Sequence, residues 1–257
     1  MKELFKLIVS SFAIVSIGQG QCDSTQVELW GECYSLNILN LNLTNSGLTG
    51  EIPPEIGDLI YLRVLKLNFN ELTGPIPSEI GNLTDLYYLE LVDNNLSGPI
   101  PDELWTLTNL EQLRIQKNQF TGSIPPEIGN LTELTHLHLY GNQFSGSIPS
   151  EIGNLTQVVR LHLNNNQFSG LIPETICNMN VTWYNPHVFD ISGNQLVPPY
   201  PNCVSNFVEY QYSEDCESNY LFNGICTEQS DLDVLQQFID NSSETINMEM
   251  DDNNNGL

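Results

Sequence analysis

Apolar and polar positions repeat along this chain with a period of 24 residues from residue 41 onward. Each unit opens with two aliphatic residues around one polar residue, as at 41–43, and carries Ile-Pro at a fixed later offset, as at 52–53. Side chains alternate across a strand, so this spacing predicts a short strand that buries both aliphatic residues. Six units match, and a degenerate seventh at 189–191 follows a four-residue insertion near Trp183. Stacking these units predicts one parallel sheet.

An asparagine recurs at one offset after each strand, in a column formed by Asn70, Asn94, Asn118, Asn142, Asn166 and Asn194. Buried backbone donors and acceptors need partners where a strand leaves its sheet. We therefore interpret this column as structural. Ser46 takes the same offset in the first unit, as expected of an atypical terminal repeat.

The period and the Leu-Ser/Thr-Gly-x-Ile-Pro signature, seen for example over 70–83, resemble the plant-type leucine-rich repeat. The likeness covers residues 39–196, and residues 30–33 resemble the amino-terminal cap of that family with one residue fewer between Gly and Cys. The resemblance implies an α/β repeat fold: a curved, right-handed leucine-rich-repeat solenoid. A parallel β-sheet would line its concave face, with a second short strand near Gly-x-Ile-Pro and a 3-10 or irregular convex side. The family includes receptor-like kinase ectodomains and secreted polygalacturonase-inhibiting proteins, which implies extracellular recognition.

The ends of the chain suggest a secreted protein. Lys2 and Lys6 precede an apolar run over 7–17, which is typical of a signal peptide, with an amino-terminal membrane anchor as the alternative. We expect a signal peptide over 1–20, a cap over 21–38, repeats over 39–203, a Cys-containing cap over 204–226 and an acidic tail over 227–257. We expect no membrane span in the mature part of this sequence.

Six cysteines are an even number, compatible with three disulfides in an oxidising compartment. Consecutive units are neighbours in space, so we favour the pairs Cys22–Cys33, Cys177–Cys203 and Cys216–Cys226, although the sequence leaves other pairings open. Seven Asn-x-Ser/Thr sequons predict glycosylation in a eukaryotic secretory pathway, at Asn42, Asn82, Asn95, Asn130, Asn154, Asn180 and Asn241. The alternative is that these are repeat residues without a sugar.

Charge is distributed unevenly over this acidic chain. The formal net charge of −25 argues against nucleic acid as a partner. Of the five basic residues after residue 20, four fall at the offsets of the concave face, together with three of the four His. This segregation predicts a cationic groove for a protein or an acidic glycan. The candidate ligand-binding residues are Lys66, Phe69, Tyr88, Arg114, Lys117, His136, His138, Tyr140, Arg160 and His162.

Three of these residues raise a metal hypothesis. His136, His138 and His162 fall on adjacent strands, and three His with a water is a zinc pattern. Arg160 lies beside His136, however, and the sequence shows no carboxylate that would orient the ligating rings. We therefore expect no metal, no cofactor and no enzymatic activity.

The last segment has its own patterns. Residues 231–240 have helical spacing, and 251–257 match the opening of an EF-hand-like calcium loop without its closing Glu. We favour a disordered acidic terminus over a calcium site; a third alternative is a chain that stops inside a further module.

Three functions fit these features. The first is a secreted or cell-surface recognition protein that holds a protein or acidic glycan on its concave face. The second is the ectodomain of a cell-surface receptor, with a possible co-receptor. The third is a secreted inhibitor of a cell-wall hydrolase that presents the same face.

Overall fold

The computed structural model describes residues 22–204, apart from 184 and 186, and two short strands at 221–222 and 225–226. The chain divides into two compact units, Met1–Phe207 and Val208–Leu257. In the second unit, Leu221–Phe222 pairs antiparallel with Ile225–Cys226. Across the described part of the chain, no helix has the length and apolarity needed to cross a bilayer. The expected signal peptide, Cys216, Asn241 and the acidic tail lie outside the described residues.

An antiparallel hairpin forms the start of the solenoid, with strands Gln26–Leu29 and Glu32–Ser35. Its turn places Trp30 and Gly31 at φ values of 50° and 80°, the positive pair that suits the twist of a two-residue hairpin. The Trp30 indole donates a hydrogen bond to the backbone oxygen of Glu51 at 3.1 Å. Val27 and Leu29 are buried, so the hairpin caps the first repeat with its own apolar side chains.

Seven short strands form a parallel sheet in which neighbours in sequence are neighbours in space. They are Asn40–Asn42, Val64–Lys66, Tyr88–Glu90, Gln112–Arg114, His136–His138, Arg160–His162 and Phe189–Asp190. We call the repeats that contain them units 1 to 7, and the side of this sheet turned away from the core the concave face. The middle residue of each of the first six strands is a buried Leu. The predicted solenoid with its parallel sheet is therefore confirmed.

A second set of parallel strands follows the turn of each unit, as the resemblance implied. One sheet contains Thr49–Gly50, Glu71–Gly74, Asn95–Pro99 and Gln119–Thr121, and the other contains Ser145–Gly146, Gln167–Leu171 and Gln195–Val197. Six 3-10 helices complete the units: Pro54–Asp58, Ser78–Asn82, Asp102–Thr106, Pro126–Asn130, Ser150–Asn154 and Glu174–Asn178. Each begins directly after the Pro of the Ile-Pro pair, because a proline has a fixed φ and no N–H to leave unpaired.

The asparagine column is a continuous hydrogen-bond ladder. In unit 4, Asn118 Oδ1 accepts from the Leu96 N–H at 3.0 Å, and Asn118 Nδ2 donates to the backbone oxygens of Leu91 and Ile115 at 2.9 and 3.1 Å. The bond from the Phe168 N–H to Asn194 Oδ1 is also 3.0 Å, although it spans 26 residues rather than 22. The four-residue insertion is therefore accommodated without breaking the ladder.

Candidate functional site

Strand pairing brings the predicted face residues into register. Tyr88, Gln112, His136 and Arg160 are successive partners in one column, and Lys66, Glu90, Arg114, His138 and His162 are successive partners in the next. Both columns flank the buried Leu of each strand, so their side chains point to the concave face. The constant period of the sequence thus translates directly into rows of side chains about 4.8 Å apart.

Units 2 and 3 satisfy their own charges. Lys66 Nζ lies 3.0 Å from Glu90 Oε1, and Asn68 Nδ2 donates to Glu90 Oε2 at 2.8 Å. Asn68 Oδ1 in turn accepts from the Val92 N–H at 2.9 Å. Glu90 is only 7% exposed, so both carboxylate oxygens are committed inside this network. That Lys66 binds a ligand stays a prediction, but the charge of Lys66 is already compensated by Glu90.

Two predicted residues sit at the rim of the face. Phe69 and Lys117 have φ values of 56° and 57°, in the left-handed region where the chain turns out of the sheet. Gly141 and Gly193 take the same offset and the same conformation. Phe69 is 53% exposed, and the exposed Lys117 Nζ lies 4.0 Å from Asp93. These side chains border the face rather than lie in its centre.

Units 4 to 6 carry a group of five basic side chains, which we call the basic cluster: Arg114, His136, His138, Arg160 and His162. The rings of His138 and His162 stack with centroids 4.6 Å apart, and the His136 centroid lies 5.9 Å from that of His138. Tyr140 packs against both stacked rings, with centroids 6.5 and 6.1 Å away. His136 Nδ1 is 2.9 Å from the Thr135 hydroxyl, which orients its ring.

Burial keeps these imidazoles toward the neutral form. It lowers the pKa of His138 to about 3, with further contributions from His162, Arg114, His136 and Arg160. Burial also lowers the pKa of His136, assisted by Arg114, Arg160 and His162. For His162, burial lowers the pKa while Asp190 and a hydrogen bond with the backbone of His187 oppose it. A proton on any of the three is disfavoured while nothing negative lies over the cluster.

Four buried polar atoms in this region have no hydrogen-bond partner among the described residues: Arg114 Nε, Gln116 Oε1, His138 Nε2 and His162 Nε2. His138 and Gln116 are only 8% and 7% exposed. Leaving a buried polar group unpaired costs about 1–3 kcal/mol, so such atoms are rare in native proteins. The two ion pairs found among the described residues use Lys66 and Lys117, and neither uses Arg114 or Arg160.

Gln116 is the residue that sequence reasoning missed. It lies in the third column of the face, beside Tyr140, but a Gln at a repeat offset carries no charge or ring to single it out. Tyr88 differs from its prediction in another way, because its hydroxyl lies 3.3 Å from a Glu111 carboxylate oxygen and is thus engaged within the protein. The negative charge of Glu111 raises the pKa of Tyr88, so the phenol stays protonated.

The histidines do not form a metal centre. Within the described ranges, no group of three or more His, Cys, Asp or Glu side chains could hold an ion. His138 and His162 stack face to face, whereas metal ligands direct their ring nitrogens at a common point.

The structure also shows the expected covalent features within its described range. Cys22 pairs with Cys33, and Cys177 pairs with Cys203. The Cys216–Cys226 pair stays a prediction because Cys216 is outside that range. The six described sequon asparagines are all exposed: Asn42, Asn82, Asn95, Asn130, Asn154 and Asn180. Glycosylation at these positions and at Asn241 stays a prediction.

Family comparisons match the repeats one by one. The Leucine Rich Repeat model matches residues 37–59, 61–83, 85–107 and 157–179, and a two-copy Leucine Rich repeats model matches residues 108–151. Comparison with curated proteins finds no match.

Similar solved structures are receptor ectodomains of plants. The ectodomain of the membrane receptor kinase GASSHO1/SCHENGEN3 from Arabidopsis thaliana, in complex with CASPARIAN STRIP INTEGRITY FACTOR 2, is 38% identical over 66% of this chain, with a TM-score of 0.62. The plant peptide hormone receptor RGFR1, in complex with RGF2, is 33% identical over 62%, with a TM-score of 0.55. The chain spans only 20% and 25% of those two structures. A pollen receptor kinase 3 is 31% identical over 70% of this chain and 83% of its own length, with a TM-score of 0.56.

Proposed function

Because the chain belongs to the plant-type leucine-rich-repeat family, we propose that it is an extracellular recognition protein that binds a peptide or protein ligand on its concave face. The basic cluster carries this proposal, because it gathers unpaired cations and unpaired buried nitrogens on one face of a very acidic chain. The two disulfides suit an oxidising compartment outside the cytosol.

The ligand is an extended peptide that carries at least one acidic group. Arg114 and Arg160 lie on strands separated by the strand of unit 5, and neither is engaged in an ion pair with a described carboxylate. An acidic peptide supplies both the anion that these guanidinium groups lack and main-chain groups for Gln116 and Tyr140. An acidic glycan offers an anion as well, with hydroxyl groups in place of main-chain amides. RGFR1, one of the similar proteins, is a peptide hormone receptor, which also favours a peptide.

A defined library tests this proposal. The full chain, produced by secretion, is panned against two phage libraries of random decapeptides, one rich in Asp and Glu and the other without them. We expect recovery of acidic sequences, and we expect their affinity to fall about tenfold or more in Arg114→Gln and in Arg160→Gln. Arg63→Gln is the matched control, because Arg63 is basic and exposed but lies against the Tyr87 ring, outside the face. Enrichment of neutral peptides only, or equal losses in all three variants, contradicts the proposal; a heparan or pectate oligomer that outcompetes the peptides identifies a glycan ligand instead.

A second candidate is that this sequence is the ectodomain of a cell-surface receptor that works with a co-receptor. It is favoured by the similarity to ectodomains of membrane receptor kinases, of which the chain covers only a part. Sequencing the transcript past the codon for Leu257 tests it. An open frame that encodes an apolar segment of about 20 residues supports the receptor, whereas an immediate stop codon contradicts it.

A further inference from the structure

The basic cluster brings five nitrogen bases together on three adjacent strands. Arg114 and Arg160 are two strands apart, about 10 Å, and His136 and His138 lie between them on the strand of unit 5. His162 stacks on His138 from the strand of unit 6. Both guanidinium groups are close enough to influence the pKa of both His136 and His138. The cluster is therefore one electrostatic unit rather than five separate side chains.

The acids around the cluster do not neutralise it. Glu90 is in register with Arg114, but its two oxygens are bonded to Lys66 and Asn68. Glu111 lies beside Tyr88, and Asp190 accepts hydrogen bonds from Ser192 while it influences His162. Lys117, the remaining cation on these strands, is at the rim near Asp93. His187 lies beside His162 and carries no negative charge that could neutralise the cluster.

The hydrogen-bonding capacity of the unpaired atoms in the cluster indicates which chemical group could bind to them. Arg114 Nε can only donate a hydrogen bond. His162 has one ring nitrogen engaged with the backbone of His187, and its Nε2 has no partner. His138 Nε2 is also without a partner. If the two imidazoles take up a proton, each unpaired ring nitrogen becomes a hydrogen-bond donor, as Arg114 Nε already is, and an anionic oxygen accepts bonds from such donors.

We propose that the basic cluster is an oxyanion site, in which a carboxylate or sulfate group of the bound peptide lies over His138 between Arg114 and Arg160 and draws a proton onto the His138–His162 pair. The site rests on the proposed function, because it specifies which part of the peptide docks in the centre of the face. Binding and protonation are one event, since the anion supplies the negative charge that makes the imidazolium acceptable in this buried position.

Proton uptake determines how ligand affinity at this site changes with pH. In the free protein, burial and the neighbouring positive charges lower the pKa of His138 to about 3, so this ring is neutral between pH 5 and 7. An anion over the ring raises that pKa, and ligand affinity then increases as the pH falls below the pKa of the bound state toward that of the free protein. For one linked proton, the increase is at most about tenfold per pH unit.

Small anions test the site without knowledge of the natural ligand. The full chain is titrated with sodium sulfate and, separately, sodium formate at constant ionic strength in chloride, while NMR follows the histidine ring carbons from pH 7.5 to 5. We expect sulfate or formate to raise the pKa of His138 by about two to three units and that of His162 in the same direction, and therefore to bind several-fold tighter at pH 5 than at pH 7.5. The anion that binds tighter distinguishes sulfated from carboxylated peptides.

Variants separate the site from nonspecific attraction. Arg114→Gln and Arg160→Gln are expected to abolish the anion-induced pKa rise, whereas Arg63→Gln leaves it unchanged. His138→Gln keeps a polar side chain of similar size, and we expect it to remove the pH dependence of peptide affinity. An unchanged histidine pKa in both anions, or the same rise in all variants, overturns the oxyanion site. If acidic peptides from the library nevertheless bind, the proposed function stands; if no peptide binds while the anions do, the proposed function fails and the site remains.

Discussion

The two halves of the concave face share one backbone and differ in how their charges are satisfied. In units 2 and 3, Lys66, Glu90 and Asn68 form a closed network in which each charge has a partner. In units 4 to 6, the same column holds Arg114, His138 and His162, and each of them has a buried nitrogen without a partner. The strand register, the ladder bonds and the buried Leu are the same in both halves.

This difference separates structure from function on a repetitive scaffold. A network that is complete within the protein contributes to folding and offers little to a ligand. Unpaired buried polar atoms reduce stability, so their presence in units 4 to 6 supports our proposal that a ligand binds there. The pairing of side chains, rather than their charge alone, is therefore the feature that distinguishes the two halves of the face.

The largest expected effect tests whether the asparagine ladder contributes equally to stability in both halves of the concave face. Asn94→Ala in unit 3 and Asn142→Ala in unit 5 each remove a ladder amide that bonds buried backbone groups of two units. Each substitution is expected to lower the free energy of unfolding by about 2–4 kcal/mol, measured by urea denaturation at pH 7.5. A gap of more than about 1 kcal/mol between them would mean that the backbone itself differs between the halves.

The next effect concerns the closed network. Glu90→Gln removes the partner of the partly buried Lys66 and weakens the bond to Asn68, so we expect a loss of about 1–2 kcal/mol in the same assay. Asp93→Asn is the control, because the exposed Asp93–Lys117 pair has its charged atoms 4.0 Å apart and contributes within about 0.5 kcal/mol. Equal effects of the two substitutions would show that the Glu90 network does not stabilise the fold.

The sequence predicted the fold and the columns of the face because the period stays at 24 residues through the first six units. A fixed spacing of 24 residues carries Lys66, Arg114 and His138 to the same position of successive strands, and the register confirms it. The period does not specify where the end of a long side chain lies. That Lys66 binds Glu90, while Arg114 next in the column stays unpaired, depends on rotamers and on Asn68.

The left-handed turn at the rim of the concave face could be predicted in part from the sequence. Gly141 and Gly193 mark an offset that requires a left-handed backbone, and Asn45 and Asn165 are tolerant of it. Phe69 at that offset gives no such signal, and it was predicted as a residue of the face from spacing alone. The burial of the histidine rings could not be predicted from the repeat spacing either, because it depends on how the rings stack across strands.

A smaller effect, of opposite sign, is expected in units 4 to 6. His138→Leu replaces a buried ring whose Nε2 has no partner with an apolar side chain of similar size. We expect the free energy of unfolding to stay constant or to rise by up to about 1 kcal/mol, while affinity for acidic peptides falls. A loss of more than about 2 kcal/mol would show that His138 is a structural residue like Glu90, and the contrast between the halves would disappear.

The last effect is a pH dependence of stability to which the histidines of units 4 to 6 contribute. The pKa of His138 is about 3 in the folded protein and about 6.5 in an unfolded chain, so between these values the unfolded state binds a proton that the folded state does not. The free energy of unfolding therefore falls as the pH decreases from 6.5 toward 3, by at most about 1.4 kcal/mol per pH unit for this group.

Urea denaturation at pH 7 and pH 5, where most carboxylates stay ionised, is expected to show the decrease in the parent protein and in Glu90→Gln, and a smaller one in His138→Leu. His136 and His162 retain part of the slope, because their pKa values are lowered in the same direction. Added sulfate is expected to reduce the slope, since an anion over the cluster makes protonation of the folded state acceptable. A parent protein that is as stable at pH 5 as at pH 7 would mean that the imidazoles already share a proton, and that no ligand is needed to bring it.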